Sequence, residues 1–69
     1  MDTREVLVLW RNAAWRCEFQ PGIAGQARLL VFHQDTVVAA ESVPSGRPAY
    51  LRAEVLRERV RRGDLRPQA

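Results

Sequence analysis

Cys17 and His33 are the residues of this chain whose chemistry could pair a nucleophile with a base. Each occurs once in the 69 residues, and the surroundings of each argue against the pairing. Cys17 lies between Trp15 and Phe19 in an alternating run, Ala14–Gln20. Its thiol therefore points to an apolar side, where desolvation raises the pKa and disfavours the thiolate. His33 begins the polar tetrad His33-Gln34-Asp35-Thr36, a turn signal that puts it at an exposed tip. One His and one Cys do not make a metal set, and a lone Cys has no disulfide partner.

The remaining candidates for chemistry also have structural explanations. The carboxylates are scattered, and no close pair has an orienting partner of the kind that general acid–base catalysis needs. Glu54 and Glu58 are one helical turn apart, but Arg57, Arg61 and Arg62 stand at i+3 or i+4 spacing as ion-pair partners, worth only ~0.2–0.5 kcal/mol each. Gly22-Ile23-Ala24-Gly25 lacks the spacing and the following helix of a phosphate cradle. Trp10, Trp15 and Phe19 could line a ligand pocket, yet in so short a chain they are expected as core anchors. The expectation is a protein that is not an enzyme, with no catalytic residue, cofactor or metal site.

Charge is the one feature with functional reach. All eleven basic residues are Arg, against eight acids. Residues 1–46 carry a net charge of −1 and residues 47–69 a net charge of +4. An Arg-rich helix can hold phosphate backbones through charge and counterion release, and Arg52, Arg59 and Arg62 are the candidate phosphate contacts. Acidic neighbours of Arg57 and Arg61, and the lack of interleaved aromatics for base stacking, make a solvated helical face the stronger reading. Nucleic-acid binding is kept as the alternative function. The absence of Lys, together with nine Ala, is also what a GC-rich coding sequence produces.

These side chains must be positioned by a small set of elements. Val6–Trp10 is rich in β-formers and predicts a strand; the rival is a short helix capped by Asp2 or Thr3, with Val6, Leu9, Trp10 and Ala13 on one stripe. Arg11-Asn12-Ala13 is the expected turn into the half-buried strand Ala14–Gln20. Pro21-Gly22 ends that strand. Ala27–Val43 then reads as a β-hairpin, with a loop of two or four residues because Gln-Asp is a poor pair for a tight primed turn. Pro44-Ser45-Gly46-Arg47-Pro48 breaks the chain. Ser45 or Arg47 is expected to precede a helix, with Pro48 at its first position. The pattern from Ala49 to about Arg62 is helical, with Ala49, Ala53, Leu56 and Val60 on one stripe and Leu51 and Val55 on a weaker one. Gly63 is placed to stop the helix. Asp64–Ala69 is a frayed tail from which Leu65 can dock back. The predicted fold is α+β: an antiparallel β-meander of three to four strands, then one C-terminal helix packed on one sheet face, all in a single domain over residues 1–69.

The hairpin is the unusual element. With Phe32 opposite Val37, Val31 faces Val38, Leu30 faces Ala39, Leu29 faces Ala40 and Arg28 faces Glu41, an opposite-charge match that supports this register. One face then carries Leu30, Phe32, Val37 and Ala39, and the other Leu29, Val31, Val38 and Ala40, so both are apolar. A single helix covers one of them. The first set is expected beneath the helix, with the reverse parity open. Leu29, Val31, Val38 and Ala40 are the candidate protein interface, and Val31→Asp should dissociate it. An uncovered apolar face points to a non-catalytic interaction or regulatory module that self-associates, most simply as a homodimer, or that binds another protein. The lone thiol fits a cytoplasmic location. No apolar run approaches the ~20 residues of a membrane span, and the first five residues do not resemble a signal peptide.

Overall fold

The computed structural model describes residues 6–67. Strands β1 (Leu7–Asn12), β2 (Trp15–Pro21), β3 (Gln26–His33) and β4 (Thr36–Pro44) form one antiparallel sheet in chain order, and helix α1 (Arg47–Arg62) follows and packs across one of its faces. This is the α+β meander that the sequence predicts. The N-terminal apolar run is a strand, not a helix; Asp2 and Thr3, the caps of the helical alternative, lie outside the described residues, as do positions 68–69 of the expected tail.

The turns are tighter than their residue types suggest. The first hairpin closes through Ala13-Ala14 between the paired Asn12 and Trp15, with Ala13 at φ 55°. The β3–β4 loop is the two-residue Gln34-Asp35 between His33 and Thr36, with Gln34 at φ 57°. Between β2 and β3, the Gln26 N–H donates to the Ile23 carbonyl at 3.1 Å, and both central residues have positive φ, Ala24 at 58° and Gly25 at 75°. That is the dihedral signature of a type I′ turn, which favours Asn-Gly.

Each edge strand carries a β-bulge. In β1 the register steps between Val8 and Trp10, so Leu9 and Trp10 both turn toward the helix. In β4 it steps opposite Val31 and Phe32, so Val37 and Val38 both turn away from it. The second bulge corrects the expected hairpin register. Leu29 faces Glu41, Leu30 faces Ala40 and Val31 faces Ala39, while only Phe32–Val37 keeps its expected partner. Arg28 faces Ser42 rather than Glu41. Glu41 sits on the helix side, where Arg52 grips it with Nε at 2.5 Å and Nη2 at 3.2 Å. A one-residue slip exchanges faces for every residue beyond it.

The core lies between α1 and the sheet. Ala49, Ala53, Leu56 and Val60, the stripe expected from sequence, meet Trp10, Cys17, Ala27, Leu29, Val31 and Val43. Leu9, Trp15, Phe19, Ala39 and the docked Leu65 pack around them. Three contacts anchor the helix besides apolar burial: the Arg52–Glu41 ion pair, the Trp10 indole Nε1 donating to the Ala53 carbonyl at 2.9 Å, and Phe19 stacking with Tyr50 at 6.4 Å between ring centres. Gly46 caps the N-terminus, with Pro48 in the first turn, and Gly63 at φ 79° ends the helix. The Gly63 and Asp64 N–H groups then reach back to the Val60 and Arg59 carbonyls, a Schellman closure.

Trp10→Phe removes the indole donor and part of a buried ring. It should lower the unfolding free energy by about 1–2 kcal/mol in urea titration, because a buried hydrogen bond contributes roughly 0.5–1.5 kcal/mol and some packing is lost with it. Ala24→Asn restores the preferred type I′ pair and should raise the melting temperature by a few degrees, since ~1 kcal/mol shifts a domain of this size by roughly 4–8 °C.

Candidate interaction surface on the open sheet face

Strand partners share a face of the sheet, so the register defines the surface turned away from α1. One row runs Val8, Glu18, Leu30 and Ala40; the next runs Arg11, Arg16, Phe32 and Val37, with the bulged Val38 beside it; a third holds Gln20, Arg28 and Ser42. The surface is therefore divided. Its β3–β4 half is mostly apolar, and its β1–β2 half carries most of the charge. No described helix or strand lies over it. Val37 is 47 % exposed and Val8 41 %, whereas Leu30, between Glu18 and Ala40 in its row, is only 7 % exposed.

The faces are exchanged for part of the expected interface. Leu29 and Val31 have no exposure and belong to the core beneath α1. A charge at Val31 is therefore expected to unfold the protein rather than dissociate a dimer. Val38 and Ala40 do lie on the open face, now with Leu30, Phe32 and Val37, which the sequence reading placed under the helix; of that covered set only Ala39 is there. The signal that decides parity lies in β2. Trp15, Cys17 and Phe19 form its apolar side, and they pair with His33, Val31 and Leu29.

Arg16 organises the boundary between the two halves. Its guanidinium carbon stands 4.0 Å from the centre of the Phe32 ring. Nε binds a Glu18 carboxylate oxygen at 2.8 Å, Nη1 donates to the Gln34 carbonyl at 2.6 Å, and Asp35 approaches Nη1 at 3.7 Å. The cation is thus held over the largest apolar side chain of the open face.

The candidate phosphate contacts are not gathered into a site. Arg52 is engaged by Glu41, whose hydrogen bond and charge hold the guanidinium above its ordinary pKa. Arg62 lies 3.6 Å from Glu58, which Arg61 also grips at 2.6 Å. The Arg61 hydrogen bond leads in lowering the Glu58 pKa, with the charges of Arg61 and Arg62 adding to it. Arg59 is exposed and forms no ion pair with a described residue. All three lie on the helix, across the sheet from Arg16 and Arg28. The shallow groove lined by Glu54, Arg57, Glu58 and Arg61 is made of these ion-paired surface side chains.

Cys17 and His33 do not meet as a pair. Cys17 has no exposure, and its pKa is pushed up to about 11, by burial first and then by the charges of Glu41 and Glu18. His33 packs edge-on against Trp15 at 4.8 Å. Among the described residues, no three His, Cys, Asp or Glu side chains cluster to hold a metal ion, and no helix is long and apolar enough to cross a membrane. No protein-family model, curated protein or solved structure matches this chain.

The raised thiol pKa has a consequence for alkaline stability. The unfolded thiol ionises from about pH 9 and the folded one only near pH 11, so the folded state binds more protons in that window. Stability from this group is fully present below pH 9 and declines as pH rises to about 11, by roughly 2–3 kcal/mol at ~1.4 kcal/mol per pH unit. Cys17→Ala should flatten the alkaline slope of the unfolding free energy over that range, measured by urea titration at successive pH values.

Proposed function

We propose that this protein is a non-catalytic interaction module that self-associates through the open sheet face, the β3–β4 half of one copy packing on that of another. The observation that carries the reading is the uncovered strip of Phe32, Val37, Val38 and Ala40 beside Leu30, set opposite a face that the only helix of the described chain already covers. The strip is exposed at Val37 and Ala40 and half-buried at Phe32 and Val38, and apolar surface that no element covers on a small domain is a usual mark of an interface.

Face packing is favoured over joining at the edges. Both edge strands, β1 and β4, carry bulges, which bend an edge and interrupt the row of hydrogen-bonding groups that another strand would need. Face packing also leaves Arg11, Glu18 and Gln20 at a wet rim, as in ordinary interfaces. Four strands spaced by ~4.8 Å, each roughly seven residues long at ~3.3 Å per residue, give a face of about 19 by 23 Å. Closed over their β3–β4 halves, two such faces bury on the order of 500 Å², well below the ~1,200–2,000 Å² of a stable complex. The dimer is accordingly a weak one, with dissociation in the micromolar range or above.

The outcome is read by sedimentation equilibrium. Wild type should pass from monomer to dimer as concentration rises from about 1 to 500 μM. Val37→Asp should remain monomeric over that range with an unchanged far-ultraviolet spectrum, while Leu51→Asp, on the outer side of the helix, should dimerise as wild type does. A wild type that stays monomeric throughout contradicts the reading, and duplex DNA binding that weakens steeply with salt would favour the nucleic-acid alternative.

A further inference from the structure

We infer that Arg16 is a restraint on this interface: it caps Phe32 and must be displaced before two strips can close. The inference rests on the self-association proposed above. Phe32 is the largest apolar side chain of the strip and stands in register with both Arg16 on β2 and Val37 on β4. A ring so placed is the natural anchor of an apolar contact, since aromatic side chains dominate interface energetics. Here its face is taken by a cation at 4.0 Å.

The cap is built, not incidental. A surface Arg ordinarily samples many rotamers, but this one is held on three sides by Glu18, the Gln34 carbonyl and Asp35. The Gln34 N–H in turn donates to the Ala14 carbonyl at 2.7 Å, so the turn that receives the guanidinium is tied to the first hairpin. The planar fork of Arg suits this arrangement, because it can stack on the ring and donate along its edge at once; a Lys ammonium can do only one of these. A charge placed over an otherwise sticky strand is a known device for limiting association.

The test is the dimer dissociation constant of single and paired variants. Arg16→Ala should tighten association by about 5- to 30-fold, the worth of two exposed cation–π contacts, one per copy. Arg16→Lys, which keeps the charge but cannot cover the ring and donate to Glu18 and Gln34 at once, should also tighten it. In a Phe32→Ala background, Arg16→Ala should produce no tightening. Dimerisation of Arg16→Ala that is equal to or weaker than wild type overturns the restraint and leaves the interface standing. Full retention of the restraint by Arg16→Lys overturns it in favour of simple repulsion between like charges. Monomeric behaviour of both wild type and Arg16→Ala overturns the interface and the restraint together. Far-ultraviolet spectra and melting curves confirm folding, and the substitution lies on the side of the sheet away from the α1 core.

Discussion

Strand β2 lies between β1 and β3 and alternates without interruption, presenting Trp15, Cys17 and Phe19 to the helix and Arg16, Glu18 and Gln20 to the other side. Because β2 and β3 pair residue for residue with no bulge, this alternation decides which half of the apolar β3 run is core. Leu29 and Val31 follow Phe19 and Cys17 inward, and Leu30 and Phe32 follow Glu18 and Arg16 outward. With one helix in the described chain, one face is sealed and the other is not. The position of α1, the burial of Cys17 and the composition of the open face all descend from that constraint.

The edge strands then adjust what the inner strands impose. The β1 bulge delivers Leu9 together with Trp10 to the helix side, and Trp10 uses its indole N–H to hold the Ala53 carbonyl. The β4 bulge does the opposite, sending Val37 and Val38 outward and turning Glu41 inward to meet Arg52. One irregularity enlarges the core and the other enlarges the exposed strip. Both also interrupt the sheet edges, so the same features that build the apolar face discourage association through the edges.

Much of the fold was legible in the sequence because it rests on local periodicity. Ala49, Ala53, Leu56 and Val60 recur at helical spacing and are the buried stripe of α1; Gly63 stops the helix where a left-handed residue is needed; the alternation of Trp15, Cys17 and Phe19 marks β2. The hairpin faces were not legible from the hairpin alone. Arg28 and Glu41 offered a plausible charge match, but Glu41 had a stronger partner eleven residues on, in Arg52, and a single extra residue at Val38 satisfied it. Bulges carry no compositional mark in this chain, since Leu9 and Val38 are ordinary strand residues. The β2 pattern could have fixed parity had it been carried across to β3. The Arg16 cap was beyond reach, since it depends on the lateral alignment of Arg16, Phe32 and the Gln34-Asp35 turn.

The proposed self-association would engage one defined face, the open side of the β3–β4 hairpin. Two-dimensional NMR over a concentration series tests it most directly, because each residue reports for itself. Progressive shifts are expected at Leu30, Phe32, Val37, Val38 and Ala40 as concentration rises, with Leu51 and Val55 on the outer helix unmoved. Shifts concentrated on Leu51 and Val55, or a spectrum that does not change with concentration, would contradict it.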